Sequence, residues 1–161
     1  MNKVFLSLAM LGALVFGGCG GQQSGLELEL NLTVEENFEG GGRQREVLRM
    51  QGNSGYYSYE FTDSERDESF ELSAEETESL KLFVQALGLN QDLVEEQDNQ
   101  QEGTRVQMNL LVWIDGKETQ MTIVGMSALG ADGEAGGNIE NFASVEAAQE
   151  LISAVKELKG L

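Results

Sequence analysis

Between residues 26 and 35 the chain alternates strictly. Leu26, Leu28, Leu30, Leu32 and Val34 share one parity, while Glu27, Glu29, Asn31, Thr33 and Glu35 share the other. A period of two marks a strand with one buried and one solvated face, so the leucines are expected on a core. A turn is expected over 37–42, followed by an antiparallel return strand over Gln44–Met50. Gly52-Asn53-Ser54-Gly55 breaks the pattern. Tyr56–Thr62 follows as a third strand, with Tyr57, Tyr59 and Phe61 on one face and Tyr56 on the other. Glu68–Leu72 reads as a short edge strand.

The period then lengthens. Ser73-Ala74-Glu75-Glu76 matches a capping box, in which Ser73 and Glu76 each satisfy a free backbone N–H of the other. Leu80, Phe83, Val84 and Leu87 recur at helical spacing, and Gly88 suits a left-handed stop. The polar run Asn90–Gly103 is expected to be a loop. Arg105–Gly125 reads as a hairpin, because Asp115-Gly116 fits a type I′ turn. That turn sets Ile114 opposite Lys117, and hence Leu110 opposite Met121 and Met108 opposite Ile123. Val106, Met108, Leu110, Val112, Met121 and Ile123 therefore face the core. The Gly-rich stretch Gly125–Asn138 is expected to be a mobile loop. Ser144 is expected to cap a final helix whose core stripe is Ala148, Leu151, Ile152, Val155 and Leu158. Its Lys156 and Lys159 fall near the negative end of the helix dipole. Strands, helix, hairpin and helix in that order predict class α+β: an antiparallel sheet of about five strands with two helices on one face. Leu30-Asn31-Leu32 and Met108-Asn109-Leu110 share a pattern, a faint trace of strand–strand–helix duplication.

Upstream of the first strand the pattern is of another kind. Met1-Asn2-Lys3 carries one charge, Val4–Phe16 is continuously apolar, and Phe16-Gly17-Gly18-Cys19 leads into the only cysteine. The apolar run is too short for a stable bilayer-spanning helix and has the form of a signal peptide. Residues 1–19 resemble a bacterial lipoprotein signal with its lipobox, although Phe16 stands where that family usually has Leu, Val or Ile. The resemblance implies cleavage before Cys19 and lipidation of Cys19, with palmitate among the acyl chains. More than one chain gives stable membrane attachment. It divides the chain into a signal peptide (1–18), a Gly-rich tether (19–25) and a single α+β domain (26–161). Gly20 follows the cysteine, where Asp would favour retention at the inner membrane. The expected location is thus the cell envelope, at the outer membrane, on its periplasmic or surface side.

The composition is that of an ordinary globular chain, 40% hydrophobic and 24% charged. With its one cysteine assigned to lipid, no disulfide is available. The formal net charge of −18 repels phosphate backbones, so nucleic acid is not an expected partner. The chain has no histidine, which removes imidazole triads and His–metal sites. It lacks the dinucleotide and P-loop glycine fingerprints. Ser153-Ala154-Val155-Lys156 has S-x-x-K spacing without that family's companion motifs, and reads as the polar side of an amphipathic helix. No enzymatic activity and no cofactor are expected. Asp63-Ser64-Glu65-Arg66-Asp67 has part of a calcium-loop spacing, but Arg66 intrudes, and Asp132-Gly133-Glu134 is equally loose; no metal site is expected.

What remains is surface chemistry. Leu111, Trp113 and Val124 share the hairpin face opposite the core and form the candidate partner patch, with Tyr56 a second candidate. The expected function is a lipid-anchored, non-catalytic envelope module acting by contact with another envelope protein. Two alternatives stand beside it: a low-affinity calcium-binding module, and an inhibitor of an extracytoplasmic protease. The second draws on a resemblance in element order, over residues 26–158, to emfourin-type inhibitors of thermolysin-like metalloproteases. No inhibitory residue carries over from it, although the Asp115-Gly116 turn would be the protruding element.

Overall fold

Strand β1 (Leu26–Glu36) pairs antiparallel on both sides, with β2 (Arg43–Gln51) and with β6 (Gly103–Ile114). Leu30 lies opposite Leu48 on one side and Leu110 on the other, so the strictest alternation in the chain forms the middle of the sheet. From β2 the sheet continues through β3 (Ser54–Phe61) to β4 (Ser64–Glu71). From β6 it continues through β7 (Lys117–Ala128) to β5 (Leu93–Gln97). The order is β4-β3-β2-β1-β6-β7-β5, seven strands, with β5 parallel to β7 and every other pair antiparallel. The computed structural model describes residues 25–36, 42–97, 103–128 and 143–161. The signal segment, Cys19, most of the tether, the 37–41 turn and the Asp132-Gly133-Glu134 segment lie outside them.

One sheet face carries both helices, α1 (Ala74–Ala86) and α2 (Ala143–Lys159). Leu26, Leu28, Leu30, Leu32, Leu48, Met50, Tyr57, Val106, Met108, Leu110, Val112, Met121 and Ile123 form one buried cluster with Leu80 and Val84 of α1. Val145, Ala148, Leu151, Ile152 and Val155 of α2 complete it. The opposite face is open and polar, as an antiparallel sheet allows. It is crossed by side-chain ladders, among them the Arg49–Glu29 ion pair at 3.1 Å.

The class α+β holds, while the expectation of about five antiparallel strands is corrected to a seven-stranded mixed sheet. The two discrepancies are the two edges. β4 starts at Ser64 rather than Glu68, because an edge strand on the rim needs no apolar face: Glu65, Arg66 and Asp67 are exposed. β5 lies inside the expected 90–103 loop; only Leu93 and Val94 are apolar there, and both are exposed. Its start is tied by Asp92, whose Oδ1 accepts from the Gln120 N–H at 2.8 Å.

Local signals fared well where short-range geometry decides. Ser73 and Glu76 form the full capping box, and Gly88 ends the helix region at φ +71°. Asp115 and Gly116 both have positive φ, as a type I′ turn requires, and every expected hairpin pair is present. Three expectations need correction. Helix α2 begins at Ala143, so Ser144 lies inside its first turn rather than at the cap. Leu158 is 45% exposed, lining a cleft between α2 and α1 rather than the sheet core. Residues 125–128 of the expected mobile loop belong to β7, and 129–138 lie outside the described residues. The faint repeat has a geometric counterpart. Asn31 lies opposite Asn109, with Leu30 opposite Leu110 and Leu32 opposite Met108, so the two similar segments face each other across the central antiparallel pair.

The helices are joined by Lys159 Nζ, 2.6 Å from Glu76 Oε1, while Glu76 Oε2 accepts from the Ser73 N–H. Lys159 first, and the Ser73 backbone second, hold the Glu76 carboxyl below its ordinary range. A depressed carboxyl contributes stability above its unfolded pKa of about 4.3, and that contribution is lost as pH falls through the folded value. The Glu76→Gln variant is therefore expected to show a shallower loss of melting temperature between neutral and acid pH than the wild type. Parallel melting curves across that range check it.

Candidate functional site

On β2 the inward parity begins polar and ends apolar: Gln44, Glu46, Leu48, Met50. The sheet register sets Glu46 beside Tyr59, and Tyr59 beside Arg66, as a row across three strands. The neighbouring row is Leu48, Tyr57 and Glu68. Helix α2 faces these rows with Gln149, Ile152, Ser153 and Lys156, a spacing that puts all four on one side of a helix. A groove of about 680 Å³ runs between the rows and the helix.

At the inner wall of the groove sits Glu46, 7% exposed. An isolated buried carboxylate would be strongly disfavoured, and this one is fully partnered. Its Oε1 accepts from the Tyr57 hydroxyl at 2.7 Å and lies 3.7 Å from Lys156 Nζ. Its Oε2 accepts from the Gln44 amide at 3.2 Å. The Lys156 ammonium also stands 5.3 Å from the centre of the Tyr57 ring, within range of a cation–π contact. Burial first, then the hydrogen bond to the Glu46 carboxylate, pushes the Tyr57 hydroxyl well above the ordinary tyrosine range. Arg66 sends Nε and Nη2 to one oxygen of Glu68, at 3.0 and 2.8 Å. The groove thus combines carboxylates, two cations, amides, hydroxyls and a half-buried aromatic ring.

Sequence reasoning passed over this groove. The available signal was Gln44 and Glu46 on the same parity as the core residues Leu48 and Met50. Ser153 and Lys156, read as the polar side of an amphipathic helix, are on that side; both line the groove, Lys156 half-buried and Ser153 exposed at its edge.

The patch foreseen from the sequence lies on the other face and is only partly contiguous. Leu111 and Trp113 are neighbours along β6, and both are half-buried on the open face. Trp113 has Glu27 beside it on β1 and Glu118 beside it on β7, and its indole N–H donates to Glu118 Oε2 at 2.9 Å. Among the described residues no helix covers this face. Val124 does not join them: it pairs with Gln107 and Glu96, three same-face rows from Trp113, which is about 20 Å along the strands. Shared parity alone had grouped it with the others. Tyr56 is engaged in a ladder, donating to Asp67 at 2.8 Å with the Arg49 guanidinium 6.0 Å above its ring.

The acidic run 63–67 does not gather ligands. Within β4, Glu65 and Asp67 point to one face and Ser64 and Arg66 to the other. Among the described residues no group of three or more carboxylates or other ligands is placed to hold a metal ion. In comparisons with known proteins, the chain matches no family model and no curated protein sequence.

The Tyr57–Glu46 bond makes a two-part prediction. Tyr57→Phe leaves a buried charged acceptor short of one donor, an expected loss of about 1–3 kcal/mol at neutral pH. A raised tyrosine pKa contributes stability that is complete below the unfolded value of about 10 and declines as pH rises above it. The wild type should therefore lose stability more steeply than Tyr57→Phe above about pH 10. Urea unfolding of both proteins at neutral and alkaline pH measures both effects.

Proposed function

We propose that this chain is a lipid-anchored protein of the bacterial cell envelope whose mature domain is a non-catalytic binding module. It works by contact between the open sheet face and an exported protein partner. The observation that carries this reading is Trp113, half-buried on the face opposite α1 and α2 and set between Glu27 and Glu118. An indole flanked by two carboxylates suits a Lys or Arg side chain, which gains the ring face and a counter-charge together. Leu111 in the adjacent row, beside Glu29 and Gln120, supplies apolar contact. The partner is thus a protein with a basic, amphipathic surface, and the net charge of −18 would speed its approach. Membrane attachment through Cys19 rests on the lipobox-like sequence.

Inhibition of an exported protease is the second reading. The Asp115-Gly116 turn favours it in one respect: type I′ geometry and the 3.2 Å contact from Lys81 Nζ to Asp115 hold that turn in place. Under this reading the purified domain would inhibit a thermolysin-like enzyme stoichiometrically, and Lys81→Ala would weaken inhibition.

Trp113 is the single tryptophan, so its fluorescence reports directly on the patch. At low ionic strength caesium should quench it more effectively than iodide, and Glu27→Gln with Glu118→Gln should narrow that difference. Trp113→Ser should retain the wild-type circular dichroism spectrum while losing the main product of in-cell crosslinking. Equal crosslinking in wild type and Trp113→Ser would remove the patch from the proposal. For the anchor, Cys19→Ser should abolish palmitate labelling and move the protein from the membrane to the soluble fraction.

A further inference from the structure

We propose that the groove between α2 and strands β2–β4 is a saccharide-binding site, with Tyr59 as its stacking platform and Arg66, Gln149, Ser153 and Lys156 as its hydrogen-bonding rim. The groove lies on the opposite face from Trp113, and its argument is independent of the proposed partner contact.

Three observations carry the inference. The first is the row Glu46–Tyr59–Arg66. Adjacent strands lie about 4.8 Å apart, so the half-buried ring of Tyr59 has the Arg66 donor on one side and the already partnered Glu46 carboxylate on the other. A pyranose offers this complement, with C–H groups on its flat face for the ring and hydroxyls around its rim. The second is electrostatic. Glu46 pairs with Lys156, and Arg66 pairs with Glu68. No excess of positive charge is left to hold a phosphate or a free carboxylate, which favours a neutral, hydroxyl-rich ligand. The third is unused donor capacity. Among the described residues Lys156 has one carboxylate contact, at 3.7 Å, and Arg66 spends Nε and Nη2 on a single oxygen. Gln149 and Ser153 add an amide and a hydroxyl from the helix wall.

The groove's size agrees with such a ligand: 680 Å³ falls within the range of roughly 300–1,000 Å³ typical of small-molecule sites. Glu46 and Tyr57 are positioning residues in this scheme. Their mutual bond fixes the inner wall and holds Lys156 over the groove, while Tyr59 and Arg66 touch the sugar.

The test is ligand-observed NMR and calorimetry on the mature domain with two neutral probes, cellotetraose and tetra-N-acetylchitotetraose. At least one is expected to bind with a Kd of about 1 mM or tighter. Tyr59→Ala and Arg66→Gln should each weaken binding about tenfold or more, while the open-face variant Tyr56→Phe should bind as the wild type does. Circular dichroism of each variant establishes that it is folded, and Arg66→Gln, on an exposed edge strand, keeps the test decisive should Tyr59→Ala unfold. Failure of both probes to bind the wild type overturns the proposal, as does binding that survives both substitutions. Binding of inorganic phosphate or citrate in place of the sugars, lost in Arg66→Gln, would overturn it in favour of an anion site.

Discussion

The structure depends on the alternation of β1. Because the side-chain period of a strand is two, slipping β1 by one residue against either neighbour would turn four leucines outward and bring Glu27, Glu29, Asn31 and Thr33 into the core. Leu26, Leu28, Leu30 and Leu32 are each at most 2% exposed, so the native register alone is compatible with their burial. β1 transmits that register to β2 and β6, which pass it to β3 and β7. Both helices then dock on the face that the leucines define. The hairpin turn at Asp115-Gly116 sets the same register independently, and the two specifications agree at Leu110, which faces Leu30 on one side and Met121 on the other. Such agreement between local and long-range preferences is what a sequence needs in order to select one fold.

The alternation also shows where the core ends. On β2 the inward residues change from Met50 and Leu48 to Glu46 and Gln44, and on β4 from Phe70 to Glu68 and Arg66. The sheet keeps its geometry across this change, but the space beneath α2 becomes polar. Every hydrogen-bonding group buried there is satisfied among the described residues. A carboxylate buried at this depth needs partners on both oxygens, and Tyr57, Gln44 and Lys156 supply them from three different elements. The groove is therefore part of the folded core's own wiring, built on its rim and opened by the point at which leucine gives way to glutamate.

How much of this was legible follows the range of the interactions involved. The capping box, the type I′ turn and the six core positions of the β6–β7 hairpin depend on residues within one turn or one pair, and all could be read directly. Parity was likewise sound for Trp113 and Tyr56. It failed for Val124, because parity gives the face and the register gives the distance along it. β4 and β5 were hidden because an edge strand has no second neighbour and its apolar signal is weak: β4 is mostly charged and β5 is five residues long. The groove was hidden for a further reason. It joins β2, β3 and β4 to a helix about a hundred positions later in the chain, and no local pattern announces a contact such as Lys156 with Glu46.

The charged rim of β4 bears on how copies of this chain behave in a crowd. An open sheet offers its last strand as a template for another, and a surface that gathers copies at high density would make such pairing frequent. Edge-to-edge stacking of two β4 strands would press Glu65, Asp67, Glu68 and Glu71 of one copy against those of the next, with Arg66 already committed to its own Glu68. The mutual repulsion keeps neighbours apart without any bulge, proline or covering helix. The acidity that looked like a general property of the composition is, at this edge, a barrier to polymerisation.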